Sequence, residues 1–449
     1  MRLGTGRAAL AAAVCFGLMG VTGARVYGAS ASAADELTLS PAPAPQAPAA
    51  DQPLYLQAAT TEPAASGSPT PVADTPPKPD KPLTAALTKA GIKTGDIAIY
   101  GFVEGSYTYG LSSPPNNFIG GRVFDIDNQE VLLNQIDLSV EKTVDSAAAA
   151  KDQRFILGGK VEAIYGNDAR FIHANGLNFY GGAVPQLSPE NQADLVQAYV
   201  DFGLPVGNGL LIRAGKMVTH MGYETINPTT NPFYSHSFLF GYAIPFTHTG
   251  VMAFYNLTDK VTVMGGFSRG WDQSLKDNND SLDYLGQVKW VITDKWTGYL
   301  NVVSGPEQDN NNDDWRTVVD GILTWTPTDH WSLSANGDFG WEGGAVAPAG
   351  NDYATWYGVA AYAGYKINDY LTLNVRGEWF NDKDGARGIG DVVYEGTVGA
   401  QVHPFPNSDI GQNFVIRPEL RCDYSSHGIW DGGTDHTQWT AAIDAIFQF

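Results

Sequence analysis

Between residues 218 and 248 stand His220, Glu224, His236 and His248, together with Ser235, Ser237 and the rings Tyr223, Phe233, Tyr234 and Tyr242. Imidazoles and a carboxylate are suitable Zn²⁺ ligands. Their spacing, however, matches neither a helical HExxH pair nor another short metal motif, so no metal is expected. Neither serine sits in a strained nucleophile turn or has an assigned acid partner, so no catalytic residue and no enzyme activity are expected. The remaining roles are steric and electrostatic. The segment either folds inward and narrows a passage, with His220, Glu224, His236 and His248 at the constriction, or it forms an outer lid or packs between strand ends. Asn227-Pro228 and Asn231-Pro232 predict a fixed course in either case.

Two acidic runs, 277–280 and 309–314, resemble calcium loops only loosely, since neither has the glycine and closing glutamate of an EF-hand. They read as solvated external loops, or as weak divalent-ion contacts to lipopolysaccharide. No cofactor is expected.

The elements that must carry these residues have their own signature. From Trp331 to Trp341 the odd positions are Trp331, Leu333, Ala335, Gly337, Phe339 and Trp341, and the even ones are Ser332, Ser334, Asn336, Asp338 and Gly340. Alternate side chains of a strand point to opposite faces, so one face is apolar with an indole at each end. A tilted strand of about ten residues spans a bilayer, with amphipathic rings at both interfaces.

The alternation recurs. Candidate strands begin near Ile97, Leu132, Leu157, Val196, Leu210, Val251, Val261, Tyr284, Trp296, Trp315, Trp331, Tyr353, Leu371, Val392, Phe414 and Thr437. This predicts an all-β, transmembrane, up-and-down antiparallel barrel of about 16 strands over residues 95–449. Short connections (205–208, 258–260, 293–295, 327–330, 368–369) alternate with long ones (111–130, 167–194, 218–246, 271–282, 306–314). Such alternation places short turns in the periplasm and long loops outside.

Upstream, Arg2 and Arg7 precede an apolar run from Ala8 to Val21, the layout of a signal peptide over residues 1–33 with cleavage near 29–33. Residues 34–94 are rich in Pro and Ala and predict a disordered periplasmic linker. With one cysteine, Cys422, left after processing, no disulfide within the chain is possible. The formal charge of −21 argues against nucleic acid as a partner, because its field repels phosphate. Only 17% of residues are charged, against 12% aromatic, which suits a β-rich membrane protein.

Charges on the lipid-facing side of a strand cost about 2–4 kcal/mol for Arg or Lys near the bilayer midplane. Alternation therefore sends Glu104, Asp137, Lys160, Glu162, Arg213, Arg376, Glu378, Arg417, Glu419 and Arg421 inward, as the expected lining of a wet pore. By the same parity Cys422 faces lipid. The closing Phe449, with Phe447, Ala445, Ile443, Ala441 and Trp439 on its face, fits the signal read by the barrel-insertion machinery.

The stretch from Asn134 to Trp271 resembles the OmpL-like β-barrel porin family. The matching residues include Asn134-Gln135-Ile136-Asp137-Leu138, Tyr165-Gly166-Asn167-Asp168-Ala169, Gly222-Tyr223-Glu224, Asn231-Pro232-Phe233-Tyr234-Ser235-His236-Ser237 and Pro245-Phe246-Thr247-His248-Thr249-Gly250. The resemblance implies an outer-membrane porin without naming a solute. The expected function is passive diffusion of small hydrophilic solutes or ions through a water-filled barrel. Outer-membrane lipid and lipopolysaccharide are its surroundings, and a homotrimer is expected by analogy with large porins. The alternatives are a binding or adhesion barrel with a plugged lumen, or a membrane-embedded hydrolase using the segment 218–248.

Overall fold

In the computed structural model, residues 82–91, 95–112, 117–177, 190–344, 347–348 and 350–449 are described. The signal-peptide reading and most of the linker reading lie outside them. Sixteen strands follow in order: β1 (Ala98–Gly110), β2 (Val131–Lys142), β3 (Ile156–Gly166), β4 (Gln192–Leu204), β5 (Leu210–Val218), β6 (Thr247–Thr258), β7 (Val261–Ser268) and β8 (Asp283–Thr293). The second half is β9 (Trp296–Gln308), β10 (Asn311–Trp325), β11 (Trp331–Gly343), β12 (Tyr353–Asn368), β13 (Leu371–Asn381), β14 (Val392–Val402), β15 (Phe414–Ser425) and β16 (Thr437–Gln448). Each pairs antiparallel with its sequence neighbours, and β1 pairs with β16 to close the barrel.

Closure is what a bilayer demands, because a backbone group facing lipid has no water to bond. At the seam Gly101 N–H donates to the Phe449 carbonyl (2.9 Å) and Phe449 N–H donates back to Gly101 (2.8 Å). Glycine is required at Gly101, since a Cβ would stand 2.1 Å from the Asp137 carbonyl oxygen. A short helix, α1 (Pro82–Lys89), packs beneath β1, where the Thr84 hydroxyl both donates to and accepts from the Ile99 backbone at 2.7 Å.

The aromatic residues form two belts. Trp296 stacks on Trp325 (5.0 Å) and Trp331 packs on Tyr365 (4.7 Å) beside the short turns. At the other end Tyr284 stacks on Trp315, and Tyr357 packs on Trp379. Between the belts the outward side chains are apolar and exposed, as membrane staves must be. Cys422 shares this outer face but is buried between Gly396 and Trp439.

One connection differs from expectation. Residues 306–314 are not a long loop: β9 and β10 continue outward and join through Asp309-Asn310 alone. Asn310 takes a left-handed φ of 55°, a conformation asparagine tolerates, and this closes the hairpin tightly. Conversely, the 143–155 connection on the short-turn side carries a helix, α2 (Ser146–Lys151), capped by the Asp145 carboxylate accepting from Ala148 N–H.

The outward assignment has a direct test. Val359 lies near the middle of β12, half-exposed, with Gly337 and Trp379 beside it. Val359→Arg is expected to lower unfolding free energy in lipid vesicles by about 2–4 kcal/mol. An unchanged urea midpoint refutes a lipid-facing Val359.

Candidate constriction inside the barrel

The connection between β5 and β6, residues 219–246, turns into the barrel. Its path is stiffened from within. The Asn227 side chain accepts from Thr229 N–H (3.0 Å), which sets a 3-10 turn over Pro228–Thr230. Asn231 then bridges the loop to itself, accepting from Thr225 N–H (2.8 Å) and donating to Thr225 O (2.6 Å). The apolar run that follows includes one π-helical turn, Leu239–Ala243.

The far wall holds this inner loop by charge-assisted bonds to its backbone. Glu378 accepts from the amides of Phe238 (2.6 Å) and Leu239 (2.7 Å), and Glu419 accepts from Tyr234 (2.9 Å) and Ser235 (3.2 Å). Arg417 donates to the carbonyls of Pro228 (2.7 Å) and Asn231 (2.8 Å), and Arg421 donates to His236 O. Arg376 donates to Ser235 O (2.6 Å) and pairs with Glu224 of the loop (2.7 Å) and Glu395 of the wall (3.0 Å). Farther along the same arc of wall, on β10 and β11, Asp320 and Asn336 accept from the amides of Gly222 (3.1 Å) and Tyr223 (3.0 Å).

These anchors sit midway along β10, β11, β13 and β15, so the loop crosses the lumen near its centre. Toward the long-loop end it joins an apolar cluster. Phe233, Phe238, Leu239, Phe240, Ile244 and Phe246 meet Phe124, Phe171, Trp271 and Trp430 from four other connections, and Trp356 and Phe380 from the wall. Each large apolar side chain so buried contributes about 1.5–3 kcal/mol, which offsets the cost of ordering a loop of this length.

Asp272, in the β7–β8 connection, accepts from the amides of Phe246 (3.0 Å) and Thr247 (2.7 Å) and fastens the loop's return to β6. Burial outweighs these amides and raises its carboxyl to about 7.

The histidines have structural partners. His220 and His248 lie ring to ring at 5.6 Å, with His220 facing the Val302 carbonyl and His248 the Thr219 hydroxyl. His236 stacks on Phe240 at 3.8 Å and meets Asn231 at 3.0 Å. Glu224 accepts from Ser237 N–H (2.7 Å) and from the Ser237 hydroxyl (3.0 Å). This donor set is engaged in positioning the loop. Among the described residues no group of three or more His, Cys, Asp or Glu is arranged to hold a metal ion.

A family model described as "Putative beta-barrel porin-2, OmpL-like" matches residues 96–449, the whole of the barrel. The chain belongs to this porin family. The porin also shares its fold with solved outer-membrane channels. It resembles the channel DcaP of Acinetobacter baumannii at 12% identity and a TM-score of 0.51, over 79% of this chain and 97% of that one. An anion-selective porin from Comamonas acidovorans matches at 10% identity and a TM-score of 0.55, over 79% and 99%. The trimer form of OmpT from Vibrio cholerae matches at 11% identity and a TM-score of 0.50, over 79% and 99%. Among curated proteins no sequence matches significantly.

All ten charged residues assigned inward by alternation lie on the inner faces of the porin's strands. Eight are buried: Glu104, Asp137, Glu162, Arg376, Glu378, Arg417, Glu419 and Arg421. Five of these (Arg376, Glu378, Arg417, Glu419 and Arg421) bond the inner loop directly, and Glu104 supports Arg417 at 3.3 Å. Lys160 and Arg213 are half-buried on the opposite wall, paired with Glu162 (2.5 Å) and Asp201 (2.9 Å).

Several residues of the same network were not anticipated from the sequence. Arg122 reaches from the β1–β2 connection to Asp125 (2.7 Å) and Asp423 (2.6 Å). Glu395 and Asp444 complete the seats of Arg376 and Arg417. Inner-face parity, the signal used for the ten, marks Glu395 and Asp444 as well. Nothing in a loop's sequence marks Arg122.

Proposed function

We propose that this outer-membrane porin passes small hydrophilic solutes or ions passively, through the space that the inner loop leaves along the wall. The observation carrying this reading is the asymmetric seat of the loop. Its charge-assisted bonds run to β10, β11, β13 and β15, while inward side chains toward the short-turn ends of β5–β9, among them Arg213, Phe254, Thr262, Lys289 and Tyr299, stay partly open to solvent. Sixteen strands enclose more space than one loop needs to fill, since barrels of that size hold an aqueous channel.

The mechanism has no chemical step. Polar wall groups replace part of a solute's hydration, and the loop limits its size. Outer-membrane lipid and lipopolysaccharide surround the barrel, and Phe449 serves the insertion machinery. A homotrimer follows the OmpT trimer form by analogy.

The apolar cluster that the loop joins favours one second reading, a plugged barrel used for binding or adhesion. Single-channel recording in planar bilayers separates the two. Stepwise conductance is expected. Folded, inserted protein without conductance overturns the porin mechanism and leaves the plugged barrel.

A further inference from the structure

We propose that Lys289 sets the charge preference of the passage and makes it favour small anions, against the sign of the whole protein. This rests on the porin reading above.

Lys289 lies on β8, opposite Thr262 of β7 and Tyr299 of β9. Its strand neighbours Val288 and Trp290 are exposed on the outer face, so Lys289 points into the barrel, where it is half-buried. Its Nζ stands 5.8 Å from the centre of the Tyr299 ring.

The other inward basic groups are neutralised in place. Arg376 is held by Glu224 and Glu395, and Arg417 by Asp444 and Glu104. Arg421 is held by Asp423, Arg213 by Asp201, Lys160 by Glu162, Lys216 by Asp194, and Arg316 by Glu342. Among the described residues Lys289 forms no ion pair. The inner-face residues flanking it, Thr262, Gln287 and Tyr299, are uncharged.

The net charge of −21 does not compensate it. In physiological salt the Debye length is about 8 Å, so carboxylates on external loops and on the linker are screened from the inside of the barrel, and the inward carboxylates Asp320, Asp338, Glu378 and Glu419 are buried whereas Lys289 is partly open to solvent. A solute beneath the loop feels the nearby uncompensated ammonium, and the low-dielectric wall strengthens that field. The Thr262 hydroxyl donates to Asn256 Oδ1 (2.9 Å), which leaves the Asn256 amide N–H₂ and the Tyr299 hydroxyl as uncharged donors for an anion's other oxygens.

Reversal potentials in a potassium chloride gradient across planar bilayers test this. The wild-type porin is expected to pass chloride over potassium. Lys289→Gln is expected to bring the reversal potential toward zero, and Lys289→Glu to change its sign. Lys383→Gln, on the exposed loop after β13, is expected to leave it unchanged. A cation-selective wild type, or a Lys289→Glu channel with the wild-type reversal potential, overturns the proposal while leaving the porin reading intact. Absence of any wild-type conductance overturns that reading itself.

Should Lys289→Glu fail to fold, Lys289→Cys supplies the test within one folded protein. A sulfonate-bearing thiol reagent is expected to drive the reversal potential toward cation preference, and a trimethylammonium-bearing one toward anion preference. Equal potentials after the two labels refute the role of Lys289.

Discussion

Replacing residues 225–243 with a flexible glycine–serine link is expected to raise single-channel conductance severalfold while leaving the barrel folded. The segment removed contains Phe233, Phe238, Leu239 and Phe240, which carry the apolar filling of the lumen. The sheet itself does not depend on it, because all sixteen strand pairings are made between neighbouring strands and across the β1–β16 seam. The wall charges left behind, Glu378, Arg417, Glu419 and Arg421, exchange loop partners for water instead of remaining buried and unpaired. Retained heat-dependent gel mobility reports the folded barrel, and conductance reports the lumen. A folded variant with wild-type conductance shows that the loop does not limit the passage.

Arg376→Ala is the second large effect. Its guanidinium is fully buried between Glu224 of the loop and Glu395 of the wall, and it also holds the Ser235 carbonyl. Removing one member of a buried ionic network strands the others without compensation, at about 3–5 kcal/mol. The loop's seated state is expected to weaken by about a hundred- to a few thousandfold, since each 1.4 kcal/mol is about a factor of ten. Hydrogen exchange at the Phe238 and Leu239 amides, which the same seat holds on Glu378, is the direct readout. Arg376→Lys keeps the charge but not the fork that reaches both carboxylates, so it is expected to fall between wild type and alanine. Unchanged exchange in Arg376→Ala shows that the seat does not depend on this arginine.

The barrel was legible because lipid enforces it. An outward charge is expensive and an unpaired edge is not tolerated, so alternation persists even where turns are irregular. All sixteen strand starts are readable to within four residues, Trp315 against Asn311, Val196 against Gln192 and Val251 against Thr247 being the widest. The hairpin at Asp309-Asn310 reads as a loop in the sequence because acidic and amide residues suit a solvated strand extension as well as a loop.

The inner loop's destination was harder to read, although a signal was present. Phe238-Leu239-Phe240-Gly241-Tyr242-Ala243-Ile244 is an apolar run inside a connection, and such a run must be buried somewhere. The lumen is the enclosed space within its reach. The wall charges were found by parity, but their partners were not, because a strand's pattern reveals which way a side chain points and not what arrives there.

That arrival has a consequence for how the molecule is made. The inner loop joins two adjacent strands, yet it closes contacts 140 positions downstream at Glu378 and 185 downstream at Glu419. Contacts so distant along a chain form late, because the intervening segment must first be ordered. The receptor for the loop does not exist until β13, β14 and β15 are side by side. The seam that closes the cylinder joins Gly101 to Phe449, positions farther apart still, so the same reasoning has the loop seat against β13–β15 before the cylinder closes. The aromatic loop is thus enclosed as the seam zips up, and the finished wall never stands as an empty tube.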